Sequence, residues 1–119
     1  METKNLSEST ICCFGDSTTW GDNGCGAGGN DISWTSHLGA LLGGAVVENF
    51  GIKGSRIAIK ADRSDSFVER LDGIDDAADV YVVFGGVNDF SRNVPLGELG
   101  STDVHEFYGC LLYTSPSPR

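Results

Sequence analysis

No run of apolar residues in this chain is long enough to span a bilayer. Its opening residues lack the basic-then-apolar plan of a secretory signal. A cytoplasmic location is therefore the default expectation, with no membrane partner. Basic residues are scarce as well: eight Lys and Arg against 17 Asp and Glu leave a formal charge of −9. A field of that sign disfavours nucleic acid and anionic lipid surfaces, which call for clustered Lys and Arg. The four cysteines, Cys12, Cys13, Cys25 and Cys110, show neither zinc-ligand spacing nor a C-x-x-C pair. No metal and no disulfide framework is expected, and Cys12 and Cys13 read as small buried hydrophobes. Gly24, Gly26 and Gly28 superficially resemble a dinucleotide loop, but they do not directly follow a strand and no suitably placed lysine accompanies them. Calcium at Asp22 and Asn23 is unsupported, because the remaining ligand positions are glycine, cysteine and alanine.

What is present is an ordinary globular composition of 39% hydrophobic and 21% charged residues, over a length of 119 that suits one domain. Residues 10–14 (Thr-Ile-Cys-Cys-Phe) form a short apolar run stopped by Gly15-Asp16, which predicts a buried strand. A glycine-rich loop follows over 21–30. Trp34, Leu38, Leu41 and Leu42 then recur at helical spacing, with Asp31 or Ser33 as the cap and Gly43-Gly44 as the stop. Residues 45–49 predict a second strand, 64–71 a shorter helix, and 80–84 (Val-Tyr-Val-Val-Phe) the clearest strand of all. Asp103 with Glu106 resembles a capping box opening a third helix.

Strands alternating with helices imply crossovers and a parallel sheet, so the fold class is α/β. In such sheets ligands bind beyond the strand C-termini, where the strand order reverses. The segments after the three strands, 15–17, 50–54 and 86–89, are thus expected to form one site. Singly, each of its residues is equally well explained without function. Gly-Asp-Ser is a common turn, Asn88 suits a turn or helix cap, and Gly54 a backbone position with φ > 0. Their joint occurrence, one after each strand, favours chemistry.

Residues 14–21 (Phe-Gly-Asp-Ser-Thr-Thr-Trp-Gly), 49–55 (Asn-Phe-Gly-Ile-Lys-Gly-Ser) and 86–89 (Gly-Val-Asn-Asp) resemble, in order and spacing, the first three sequence blocks of the SGNH/GDSL hydrolases. The resemblance covers about residues 9–109 and implies a three-layer α/β/α fold with a flavodoxin-like parallel sheet, of which three of five strands can be assigned. It implies that Ser17 is the nucleophile of a serine ester hydrolase. The Ser17 N–H, the Gly54 N–H and the Asn88 side-chain amide would hold the oxyanion, with no cofactor. Asp16 and Asp89 are expected to be structural, and Gly51 to serve the turn. The substrate implied is a small-molecule or carbohydrate ester, with an acetyl or short-chain ester of a carbohydrate preferred.

The family's fourth block, Asp-x-x-His, does not occur in the 119 residues. His37 falls on the first helix, and His105 follows Asp103 by two positions rather than three. Without a general base, this polypeptide is expected to be nearly inactive while a longer parent is an esterase. The alternative is a non-catalytic module that binds carbohydrate or acyl ligands on the same fold. The hydrolase portion is placed at 1–109. Residues 110–119 begin by continuing a helix, end in Ser and Pro, and resemble translated sequencing-adapter read-through, a tail foreign to the domain. A third strand lacking its outer neighbour should leave an apolar edge exposed.

Overall fold

A computed structural model describes residues 5–74 and 77–114. Residues 115–119 of the expected foreign tail lie outside the described residues. The chain divides into two compact units, Met1–Lys53 with Ile74–Phe84, and Gly54–Gly73 with Gly85–Arg119.

The first unit holds a three-stranded sheet. Strands β1 (Thr10–Gly15), β2 (Val46–Gly51) and β3 (Val80–Phe84) all run parallel in the order β2-β1-β3. That is the start of the flavodoxin-like order, with the reversal between β1 and β3. The central strand is the most hydrophobic in effect: Ile11, Cys12, Cys13 and Phe14 are all buried, as expected for a strand with a neighbour on each side. Two short pieces precede the second strand: α1 (Ser17–Trp20) directly after β1, and α2 (Trp34–Leu41) after the glycine-rich loop. Helix α2 lays Trp34 and Leu38 against Ile11, Cys13 and Ala45, joined by Leu42, Val47, Val80 and Val82. Ser33 caps α2 by accepting the Thr35 N–H, as the sequence allowed. Leu41 does not join the stripe and is 81% exposed, because the packed face centres on Leu38 and the helix ends at that residue. Strand β2 extends two residues beyond expectation, because Phe50 and Gly51 pair in register with Phe14 and Gly15. Among the described residues β3 has β1 as its one strand neighbour, and Phe84 is 49% exposed, as foreseen for that edge.

The second unit contains α3 (Phe67–Arg70), α4 (Val87–Ser91) and α5 (Phe107–Thr114). Its buried residues include Ile57, Ala58, Phe67 and Cys110. The helix expected over 64–71 is shorter than its apolar pattern suggested. Ser66 opens α3 with a complete capping box to Glu69, while Arg63 and Asp65 pair with each other outside it. The capping box read at Asp103 and Glu106 does not form. The Asp103 carboxylate accepts the His105 N–H two residues on, the Glu106 N–H bonds to the Asp103 backbone carbonyl, and the Glu106 carboxylate takes the Ser101 hydroxyl. Helix α5 crosses the boundary drawn at residue 109.

Among the described residues no helix is long and apolar enough to cross a membrane. Cys12, Cys13 and Cys110 are buried and Cys25 is exposed. Burial pushes the thiols of Cys13 and Cys110 up to about 11. In the native chain near neutral pH, Ellman's reagent should therefore titrate one thiol quickly, and all four after unfolding. Rapid reaction of a second thiol in the native chain would contradict this packing.

Candidate active site

In the first unit, the turn out of β1 is tight enough to need glycine. A Cβ on Gly15 would run into the Thr19 side chain and the Phe84 carbonyl. The same holds one strand over, where a Cβ on Gly51 would strike the α1 backbone at Thr19 and Trp20. Gly51 therefore acts by close approach at the end of a strand rather than by a turn. Asp16 caps α1, its carboxylate accepting the Thr18 N–H at 3.1 Å, which bears out a structural role. Ser17 is the first residue of that helix and is half-buried. As the first helical residue its N–H has no partner inside the helix. Its hydroxyl makes no hydrogen bond among the described residues.

Ser17 and Thr18 line a shallow cleft of about 410 Å³ with Asp22, Gly24 and Gly26. Lys53 sits 3.4 Å from the Asp22 carboxylate and 4.8 Å above the Trp20 ring. The Gly24 N–H, with Lys53 behind it, holds the Asp22 carboxyl below its usual range. Asp22 and Asn23 turn side-chain oxygens onto their own loop, accepting N–H bonds from Gly24, and from Cys25 and Ala27.

A polar cluster that no motif announced fastens α1. Asn49 Nδ2 donates to the Thr19 carbonyl at 2.8 Å, and Ser33 Oγ donates to the same carbonyl at 2.7 Å. Asn49 Nδ2 also lies within bonding distance of Asn30 Oδ1 and Thr35 Oγ1, and its Oδ1 accepts the Gly51 N–H. One carbonyl at the end of a four-residue helix thus takes two side-chain donors. The only sequence signal was Asn49 at the head of its block.

The second unit brings the other two expected residues together. Gly54 has φ +78°, where an L side chain would be strained. A Cβ there would also strike the Arg63 guanidinium. Asn88, in the first turn of α4, donates from Nδ2 to the Ser55 carbonyl at 2.9 Å. That bond uses one of its two amide hydrogens and fixes the direction of the other. Next to it, buried Asp89 accepts the N–H groups of Ile57 at 2.8 Å and Ala58 at 3.0 Å, so its expected structural role holds. Ser55 is fully buried, its Oγ donating to the Asp65 carbonyl at 2.6 Å and accepting from Arg70 at 2.9 Å. The turn carrying Gly54 is therefore held from several directions by side chains of its own unit.

Of the histidines, His37 lies exposed on α2, and His105 is exposed with Nδ1 3.1 Å from Asp103 Oδ1. Neither stands in an Asp-x-x-His sequence.

A sequence profile of the GDSL-like Lipase/Acylhydrolase family matches residues 13–113. One solved crystal structure is 94% identical, with a TM-score of 0.90 over 92% of this chain and 50% of its own. A protein from Lactobacillus plantarum is 34% identical with a TM-score of 0.73, covered over 92% of this chain and 49% of its own. A possible lipase from Chitinophaga pinensis, at 23% identity and a TM-score of 0.61, shares the fold over 90% of this chain and 42% of its own. The chain thus spans about half the length of the solved chains it matches. No curated protein matches it.

Replacing Asp89 by Ala should strand two buried N–H groups and lower the unfolding free energy by about 1–3 kcal/mol for each, measured in urea. Asp16→Ala, which removes one cap bond, should cost about 1 kcal/mol. An Asp89 variant as stable as the parent would show that the acid does not hold the turn.

Proposed function

The chain belongs to the GDSL-like lipase/acylhydrolase family, and on that premise we propose that Ser17 is the nucleophile of a serine ester hydrolase. Ser17 Oγ gives up its proton to water and attacks the ester carbonyl carbon, and the carbonyl oxygen becomes an oxyanion. Collapse of that intermediate breaks the ester C–O bond, so that the leaving alkoxide takes up a proton and departs as the alcohol, leaving an acyl-serine. The Ser17 N–H, the Gly54 N–H and the Asn88 amide are the donors for the oxyanion. Water then releases the acid. The observation that carries this reading is the setting of Ser17. It opens a helix at the end of the central strand, on the lip of a cleft, with its hydroxyl uncommitted among the described residues. Support for the donors comes from the left-handed turn at Gly54 and the second amide hydrogen that Asn88 retains.

The cleft beside Ser17 is shallow and lined by small and polar residues, which suits a short acyl group, such as the acetyl of a carbohydrate ester. No Asp-x-x-His is present in the 119 residues to raise the nucleophilicity of Ser17. The exposed positions of His37 and His105 favour a second reading for this polypeptide, a carbohydrate- or acyl-binding module without turnover.

Hydrolysis of p-nitrophenyl acetate distinguishes the two. The 119-residue chain should turn over on the order of 10⁶-fold more slowly than the longer chain of 94% identity. In that longer chain, Ala at the position aligned with Ser17 should abolish turnover, and Ala at the position aligned with Asn88 should lower it by about 10²–10³. Full activity after the serine substitution would remove Ser17 as nucleophile. Equal rates for the two chains would show that no further base is needed.

A further inference from the structure

The cleft beside Ser17 lies wholly within the first unit, and one of its walls has no part in the proposed chemistry. Asp22 is the one charged group among the described lining residues, beside Ser17, Thr18, Gly24 and Gly26. Its N–H donates to the Ser17 carbonyl at 3.0 Å, which ties the acid to the helix that carries the serine. Across the loop Asp22 faces Gly28 in an isolated antiparallel bridge, and the Gly29 N–H bonds to the Gly21 carbonyl at 3.0 Å. The two sides of the loop lie so close that a Cβ on Gly28 would strike the Gly21 carbonyl. The Asp22 side chain is only 26% exposed, so it forms a fixed wall rather than a free surface group. Its oxygens are partly committed. Oδ1 accepts the Gly24 N–H at 2.8 Å, and Oδ2 stands 3.4 Å from Lys53 Nζ. A carboxylate offers about four lone-pair sites, so acceptor capacity remains on both oxygens. Lys53, held over the Trp20 ring and not among the described lining residues, balances the charge from behind. What the wall asks of a ligand is therefore hydrogen-bond donors rather than a cation. In an uncharged ester the groups that supply such donors are hydroxyls, and their bonds to an ionised acceptor are the stronger kind. The exposed Thr18 side chain adds a second hydroxyl partner on the same lining.

We propose that Asp22 is the specificity-determining residue of this cleft, its carboxylate receiving hydroxyl groups on the alcohol part of the ester that Ser17 attacks. The fate of that ester rests on the hydrolase reading, whereas its binding rests on the cleft alone. An ester of a polyhydroxylated alcohol is thereby preferred over one with the same acyl group and a bare alcohol.

Three esters that share an acetyl group test this: glucose acetylated at its primary hydroxyl, ethyl acetate and acetylcholine. Each is titrated into the whole chain carrying Ser17→Ala, which removes the nucleophile, while backbone amide resonances are followed. The sugar ester should shift Thr18, Gly24 and Gly26 saturably, and ethyl acetate should bind about tenfold more weakly. Asp22→Asn should weaken the sugar ester about tenfold as well. Asn keeps an oxygen for the Gly24 N–H, so the Asn23 and Ala27 amides should stay where the parent has them, which separates lost binding from a collapsed loop. The comparison of the three esters needs no change in the loop at all. Equal affinity for the sugar ester and ethyl acetate, indifference to Asp22→Asn, or tightest binding by acetylcholine overturns the proposal. Turnover is then measured in the longer chain of 94% identity. There, Asn at the position aligned with Asp22 should lower the kcat/KM ratio of sugar ester to ethyl acetate about tenfold, with KM carrying the change. An unchanged ratio overturns the substrate assignment and leaves Ser17 as nucleophile. If the sugar ester binds through Asp22 but neither ester is hydrolysed, the hydrolase reading is what fails, and hydroxyl recognition by Asp22 stands.

Discussion

Two adjacent glycines without room for a Cβ set the geometry of the first unit. Gly15 and Gly51 are partners in the β1–β2 register, and the backbone and Thr19 side chain of α1 lie on them. A helix can begin immediately at the strand end only because that seat is flat. An alanine at either position would push α1 outward and carry Ser17 with it. The short helix cannot hold itself, since four residues make too few internal bonds to be stable alone. Its stability comes from below and behind: the glycine seat, the Asp16 cap, and the two donors from Asn49 and Ser33 on the Thr19 carbonyl.

The second unit solves a related problem by a different route. Its Gly54 turn has little regular structure, so polar side chains do what strand pairing does elsewhere. Asn88 and Asp89, consecutive in α4, reach Ser55, Ile57 and Ala58 of that turn. Ser55, Asp65 and Arg70 close it from the other end. Buried polar groups are costly unless bonded, and here the bonding is arranged so that a backbone segment with a left-handed residue keeps one shape. The Asn-Asp pair is thus divided in labour: Asp89 spends both oxygens on the fold, while Asn88 spends one hydrogen on it and keeps another.

The strands, their parallel order and α2 were legible because they are written in local hydrophobic pattern and in β-branched runs, which read much the same whatever packs on them. Ser33 as a cap was legible for the same reason. The three segments after the strands were legible as a set, since the topology alone directs function there. What escaped was set at a distance. Asn49 and Ser33 meet Thr19 across 30 and 14 residues, and Asp89 meets Ile57 across 32. No window of sequence contains such pairs. Asp103 does not close the expected box with Glu106, because its carboxylate takes the His105 N–H, the Glu106 N–H goes to the Asp103 backbone carbonyl, and the Glu106 carboxylate takes the Ser101 hydroxyl. Helices α1 and α4 leave no mark on the sequence pattern because four or five residues carry too little periodicity to register.

The chemistry divides along the same line as the fold. The proposed oxyanion donors are backbone N–H groups and one amide, the amide held by its bond to the Ser55 carbonyl; loss of one such donor from a working site costs about 3–4 kcal/mol of transition-state stabilisation. A general base contributes more, since a factor of 10⁶ corresponds to roughly 8 kcal/mol. It must also meet the serine as a free side chain oriented by a third group, which local turn chemistry does not provide. On the proposed reading, a chain can carry donors for the charge of a tetrahedral intermediate and still form that intermediate slowly. The two properties are separable because they depend on different parts of the polypeptide. Shape at Gly54 and Asn88 is maintained by residues 55–70 and 88–89 whether or not a proton acceptor is present. Reactivity at Ser17 is the quantity that a base would change.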